Sequence, residues 1–253
     1  MEFANKLQAI TGKDYVSYSS IKYAIADMRL FELYMAGKLK KESAALSFGS
    51  VYDLLLFEPN KFEEQYVVFD DSEIIEGINS KNPRITKVYK EWKSDFLKQI
   101  GNRDMVLAED YQMAIDMITR LQDTGIIDQY MTGEYQVEFN TFIGDVPVRG
   151  FFDCLGDGYV TDSKSTRSVT GFRYDVPKFG YDIQAYIYKE VSGKDDFYWV
   201  AQEKTYPYLP GVYRASDVSI QRGHDKFWRA VETIREYLEG NKSTDLFYIA
   251  EEL

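Results

Sequence analysis

The sequence predicts a mixed α/β protein, and three observations carry that expectation. Helical periodicity dominates roughly the first 130 residues. Three runs rich in β-branched and aromatic residues follow, separated by Gly-Asp turns. A further helix then divides them from two more strands and a closing helix. With no internal repeat, low-complexity tract or proline-rich linker, the expectation is one domain over 1–253, a mostly helical part at 1–130 leading into a sheet with its helices at 131–240.

The first helix follows VSYSS, where Ser19 or Ser20 could cap a run through Ile21, Ala24, Ile25, Met28 and Phe31. A second begins near Ala44 and continues through Val51 and Leu54–Leu56 until Pro59 stops it. Charged amphipathic helices are expected over Lys81–Gln99 and about 108–124. YQVEFNTFIG, VPVRGFFDCLG and GYVTDSKST then read as an antiparallel meander turning at 144–145 and 156–158. A helix at about 178–192, strands DFYWVAQEK and LPGVYRA, and a helix from 217 to 239 complete the order.

Composition narrows the chemistry. One cysteine, Cys154, excludes an intramolecular disulfide framework and fits a reducing compartment such as the cytoplasm. A four-cysteine zinc site is absent, and a histidine-based triad would need the single histidine, His224. No basic start with an apolar run marks a signal peptide, and no stretch approaches 18 apolar residues, so no membrane span is expected. The net charge of −11 argues against nucleic acid, yet Lys81, Arg84, Lys87, Lys90, Lys93, Lys98 and Arg103 cluster in one segment. That stripe is a solvated helix face or a DNA contact.

Chemistry concentrates in the meander. Asp162 and Lys164, two apart in a strand, share a face. A hairpin folded at Leu155–Gly158 would bring Asp153 beside Asp162, and Gln184 and Tyr188 share a helix face. Two hard carboxylates with a main-chain carbonyl suit Mg²⁺, and Lys164 could orient a water or offset developing charge. Spacing alone leaves a structural ion pair as the default and a metal centre as the alternative.

The string Asp153-x8-Asp162-Ser-Lys164, followed by Gln184-x3-Tyr188, resembles the PD-(D/E)XK nuclease superfamily, and within it the RecE-type exonucleases (exodeoxyribonuclease VIII), mostly phage or prophage encoded. VSYSSIKYAIADMRLFELYMAG, ALSFGSVYDLLLFEPNKFEEQYVV, KFGYDIQAYIYKE and FYWVAQEKTYPY are similar to that family's motifs in order, over roughly 15–240. The resemblance implies a nuclease core of a mixed central sheet flanked by helices. It implies that Asp153 and Asp162 bind Mg²⁺ or Mn²⁺ and that Ser163 adds its main-chain carbonyl. Lys164 would assist the water nucleophile, Gln184 would place Lys164 and the scissile phosphate, and Tyr188 would support from the same helix. Where the family usually has histidine this chain has Asp53, which implies an oxygen ligand in place of imidazole.

The resemblance also implies 5′-end degradation of linear double-stranded DNA, leaving a 3′ single strand for an annealing protein in recombination, by a homo-oligomeric ring. Two rivals stand beside it: an endonuclease or single-strand nuclease on the same core, and a catalytically silent DNA-binding protein. Arg149, Arg167 and Lys178 are candidates for holding phosphates, or are solvated. Glu58 reads as a boundary residue, and Glu203 and Lys204 as a structural pair or the edge of the site. His224 reads as a surface or capping residue, and Cys154 as core.

Overall fold

The computed structural model of the protein describes residues 2–39 and 44–241. Contacts divide the chain into two compact units, Met1–Glu42 with Thr124–Leu253, and Ser43–Asp123.

The first unit opens with α1 (Glu2–Thr11), α2 (Tyr18–Ala26) and α3 (Met28–Met35). The cap of α2 is Ser17, earlier than expected, because Ser17 and Ser20 form a reciprocal capping box. The run expected to continue to Phe31 breaks at Asp27, which is extended and accepts from Arg29 N at 2.7 Å, starting a new helix.

The second unit holds α4 (Ala44–Phe57), a 3-10 turn at Pro59–Lys61, α5 (Phe62–Gln65), β1 (Tyr66–Phe69), α6 (Ser72–Gly77), α7 (Lys87–Gln99), β2 (Asp104–Leu107) and α8 (Ala108–Asp123). The helix expected from Lys81 starts only at Lys87, after a 3-10 turn at Pro83–Ile85, where Thr86 caps by accepting from Tyr89 N. β1 and β2 pair in parallel, Tyr66 opposite Asp104, and Val51, Phe62 and Val106 form the core beside them. Leu54 and Leu55 are only partly buried there.

The chain returns to the first unit through α9 (Ile126–Tyr130), β3 (Glu134–Ile143), β4 (Val146–Leu155), β5 (Tyr159–Thr166), α10 (Phe172–Phe179), α11 (Tyr181–Ser192), β6 (Asp196–Glu203), β7 (Pro210–Arg214) and α12 (Asp217–Leu238). The expected meander, the two later strands and the final helix are all present. The single helix expected at 178–192 is two: Gly180, at φ 76°, ends α10 in the left-handed region, and α11 starts at the next residue. The five strands form one mixed sheet in chain order, antiparallel except for parallel β5 and β6. α10 and α11 supply the crossover that a parallel pair requires.

α11 packs on β3, β5 and β6, and α12 and α2 pack on α11. Residues Asp182 through Tyr188 are all buried. One core joins Phe3, Leu7 and Ile21 of the opening helices to Phe139 and Phe152 of the sheet and Ile187 and Phe227 of the later helices. Among the described residues no helix is long and apolar enough to cross a membrane.

Candidate active site

The β4–β5 hairpin closes where Gly156 N donates to Tyr159 O at 2.9 Å, and the ladder sets Cys154 opposite Thr161. Antiparallel counting then brings Asp153 level with Asp162. The two segments meet directly: Ser163 N donates to Asp153 Oδ2 at 2.9 Å. On its other side Asp153 interrupts a ladder. β3–β4 pairing skips Gln136 and Asp153, Gln136 sits at φ 51°, and its amide donates to Asp153 Oδ1 at 3.4 Å. A non-glycine residue in that region costs about 1–3 kcal/mol and marks a place where the fold is bent to a purpose.

Period-two alternation separates the faces of β5. Thr161 donates from its hydroxyl to Tyr130 O, whereas Asp162 meets α11, where Gln184 Nε2 donates to Asp162 Oδ1 at 2.6 Å. The Lys164 ammonium lies against Asp162 Oδ2, donates to Ser163 O at 3.2 Å, and sits 5.1 Å from the centre of the Tyr181 ring. One helical turn beyond Gln184, the Tyr188 ring packs edge-on against Phe139 and Phe152.

Electrostatics follow from burial. Asp162 is 1% exposed, and burial with the adjacent Asp153 raises its acid to about 7, against the opposing pull of Lys164. Burial likewise raises Asp153. For Lys164 burial opposes the charge, but the Asp162 and Asp153 carboxylates together outweigh it, so the ammonium is held more firmly than in water. Burial raises the Tyr188 and Tyr18 phenols.

A cavity of about 430 Å³ opens beside this cluster, with Asp153 and Tyr188 in its wall together with Lys13, Tyr15, Tyr18 and Arg149. The Arg149 guanidinium stacks 5.2 Å from the Tyr15 ring and pairs with Glu138. Behind the site, Asp182 is fully buried and accepts from Arg222 Nε at 2.5 Å and Lys226 Nζ at 2.8 Å, tying α11 to α12. There the backbones approach so closely that a Cβ on Gly223 would fall 2.0 Å from Asp182 O.

The expected residues thus divide. Asp153, Asp162, Ser163, Lys164, Gln184 and Tyr188 converge, and Arg149 borders the same cavity. Arg167 and Lys178 are exposed, Lys178 resting 5.1 Å from its neighbour Phe179's ring. Asp53 lies half-buried on α4 of the second unit, as Glu58 lies at that helix's end, paired with Lys61. Glu203 accepts from Val169 N at 2.8 Å and pins the segment after β5. Cys154 is buried, and His224 lies on α12 beside Asp225. Tyr18, Lys22, Gln136, Tyr181, Asp182 and Gly223 escaped the sequence reading. Of these only Tyr181 and Asp182 carried a signal, as neighbours of Gln184 in YDIQ.

The donor set suits a hard divalent cation. Gln184 Oε1 is buried without a hydrogen bond, Asp162 Oδ2 meets only the Lys164 ammonium, and Asp153 is beside them. Two carboxylates, the Ser163 carbonyl and water would satisfy Mg²⁺, which keeps much of its hydration. Among the described residues no three or more His, Cys, Asp and Glu side chains gather as a fuller cage.

A family model and one solved structure give the same fold. A family model described as a PDDEXK-like domain of unknown function (DUF3799) matches residues 22–246. The crystal structure of a candidate exonuclease from Eubacterium rectale superposes with a TM-score of 0.63 at 19% identity, covering 90% of this chain and 83% of that one. An alkaline exonuclease from Laribacter hongkongensis aligns at 13% identity and a TM-score of 0.33, over 69% of this chain and 90% of that one. No curated protein matches the sequence.

Proposed function

The chain belongs to this PDDEXK-like family, and on that premise we propose that it is a metal-dependent DNA exonuclease. The observation that carries the reading is the buried meeting of Asp153, Asp162 and Lys164, with Gln184 bonded to Asp162. A structural ion pair would need no second carboxylate at Asp153 and no buried acceptor left unpaired, since both raise its cost. A catalytic centre uses both.

In this reading Asp153, Asp162 and the Ser163 carbonyl would hold Mg²⁺, with Mn²⁺ as a substitute. The cation, when bound, neutralises phosphate charge and lowers the pKa of water. Lys164, kept charged by the two carboxylates, hydrogen-bonds the attacking water and meets charge growing on the phosphate. Gln184 fixes Asp162 by donating to one carboxylate oxygen, and Lys164 lies against the other. Tyr188 closes the wall and excludes water. Arg149, with Arg167 and Lys178 outside, contacts the DNA backbone.

The substrate in this proposal is the end of linear double-stranded DNA, cut from 5′ to 3′ in the cytoplasm of a host cell if the gene is phage borne. The product is a 3′ single strand for an annealing partner in recombination. Digestion of a 5′-labelled linear duplex with Mg²⁺ is the test, with EDTA and Lys164→Ala as controls. Release of nucleotides from the 5′ end, abolished by EDTA and reduced about 10²–10³-fold by Lys164→Ala, is expected. Cleavage of covalently closed circles at the same rate would instead identify an endonuclease. No metal-dependent release at all would leave a silent binding protein.

A further inference from the structure

Lys22 of α2 is half-buried and has no counter-ion among the described residues. Its ammonium lies 5.8 Å from the centre of the Tyr18 ring, and its stem packs at Gly180, where a Cβ would meet Cγ and Cδ at 3.7 Å. Tyr18 fixes this corner by donating to Phe179 O at 2.9 Å, and the same ring borders the cavity that reaches Asp153 and Tyr188. Gly180 in turn leads into Tyr181, whose ring carries the Lys164 ammonium. Two lysines far apart in sequence therefore hold tyrosines on one rim.

Burial, reinforced by repulsion from Lys164, lowers the Lys22 pKa. The Tyr18 ring face compensates only part of that cost. Lys164 is balanced by Asp162 and Asp153, whereas no carboxylate among the described residues pairs with Lys22. A half-buried, uncompensated cation at the mouth of a site is complementary to an incoming anion.

We propose that Lys22 is a phosphate-binding residue of the active site, which grips one phosphodiester of the nucleic-acid strand next to the one Lys164 serves. This rests on the nuclease reading for the identity of the anion. It sets Lys22 apart from Arg149, whose charge is already paired with Glu138. The residue positions substrate and takes no part in proton transfer.

The test is binding of a fluorescent duplex oligonucleotide to the full chain in Ca²⁺, across a salt series, for wild type, Lys22→Gln and Lys22→Arg. Lys22→Gln is expected to weaken binding several-fold and reduce the slope of log K against log salt by about one, as loss of one phosphate contact requires. Lys22→Arg should restore both. In cleavage assays Lys22→Gln should raise KM with kcat little changed. The melting temperature without DNA should rise in Lys22→Gln, since an uncompensated charge is removed, whereas a merely structural lysine would give a fall. Wild-type affinity and salt slope in Lys22→Gln, or no binding by the wild type, would overturn the assignment. Binding lost with Lys22 in a protein that never cleaves would uphold it while refuting the nuclease reading.

Discussion

At Asp162 burial favours the neutral acid while the Lys164 ammonium favours the carboxylate, and burial helped by Asp153 prevails, raising the group to about 7. Aspartate in an unfolded chain titrates near about 4. Between those values the folded protein holds a proton that the unfolded chain lacks, so stability falls as pH rises. This contribution is complete below about pH 4 and lost through about pH 7. The groups that face Asp162 are Asp153 from β4, Lys164 from β5, Gln184 and Tyr188 from α11, and Tyr18 from α2. In EDTA, wild type should therefore lose melting temperature relative to Asp162→Asn as pH is raised across that window. A difference that stays flat with pH would mean that Asp162 is ionised throughout. Added Mg²⁺ should remove the difference in slope by favouring the carboxylate.

α11 works as a rigid plate whose lower face meets the sheet and whose upper face meets α12. Gly223→Ala drives a methyl into the Asp182 carbonyl, so one helix must move. Overpacking of this kind costs about 1–3 kcal/mol. The displaced α11 carries Gln184 away from Asp162, so cleavage by the folded variant should fall more than its loss of melting temperature explains. Unchanged activity in a destabilised variant would show that α11 tolerates the shift. This dependence was not legible in the sequence. The meander was, because β-branched alternation and Gly-Asp turns act over a few residues, and with it came Asp153, Asp162 and Lys164. The i,i+4 spacing of Gln184 and Tyr188 was equally local. Lys22 and Gly223 earn their positions from helices packed across the chain, and no window around either residue encodes that. β1 and β2, four residues each, are too short for periodicity to register.

The whole molecule carries a net charge of −11, and binding DNA requires that its cations be gathered on one surface. We propose the homo-oligomeric ring that the family resemblance implies, with basic groups lining a channel and acids facing outward. The purified protein should then sediment well above 29.4 kDa, the mass of one chain. A monomer at micromolar concentration, fully active and processive, would remove the ring. The discontinuous first unit has a consequence for biosynthesis. Val16 bridges to Val148, and the Tyr18 hydroxyl reaches Phe179 O across 161 residues of sequence. A ribosome adding roughly 5–20 residues per second needs about 10–30 s to cover that span. Once α1, α2 and α3 clear the tunnel, their faces toward the sheet and later helices stay bare for the rest of that interval, because the strands and helices that cover them are not yet made. One wall of the candidate site thus waits for the other to be translated, and the nascent chain is open to chaperones and to aggregation during that wait.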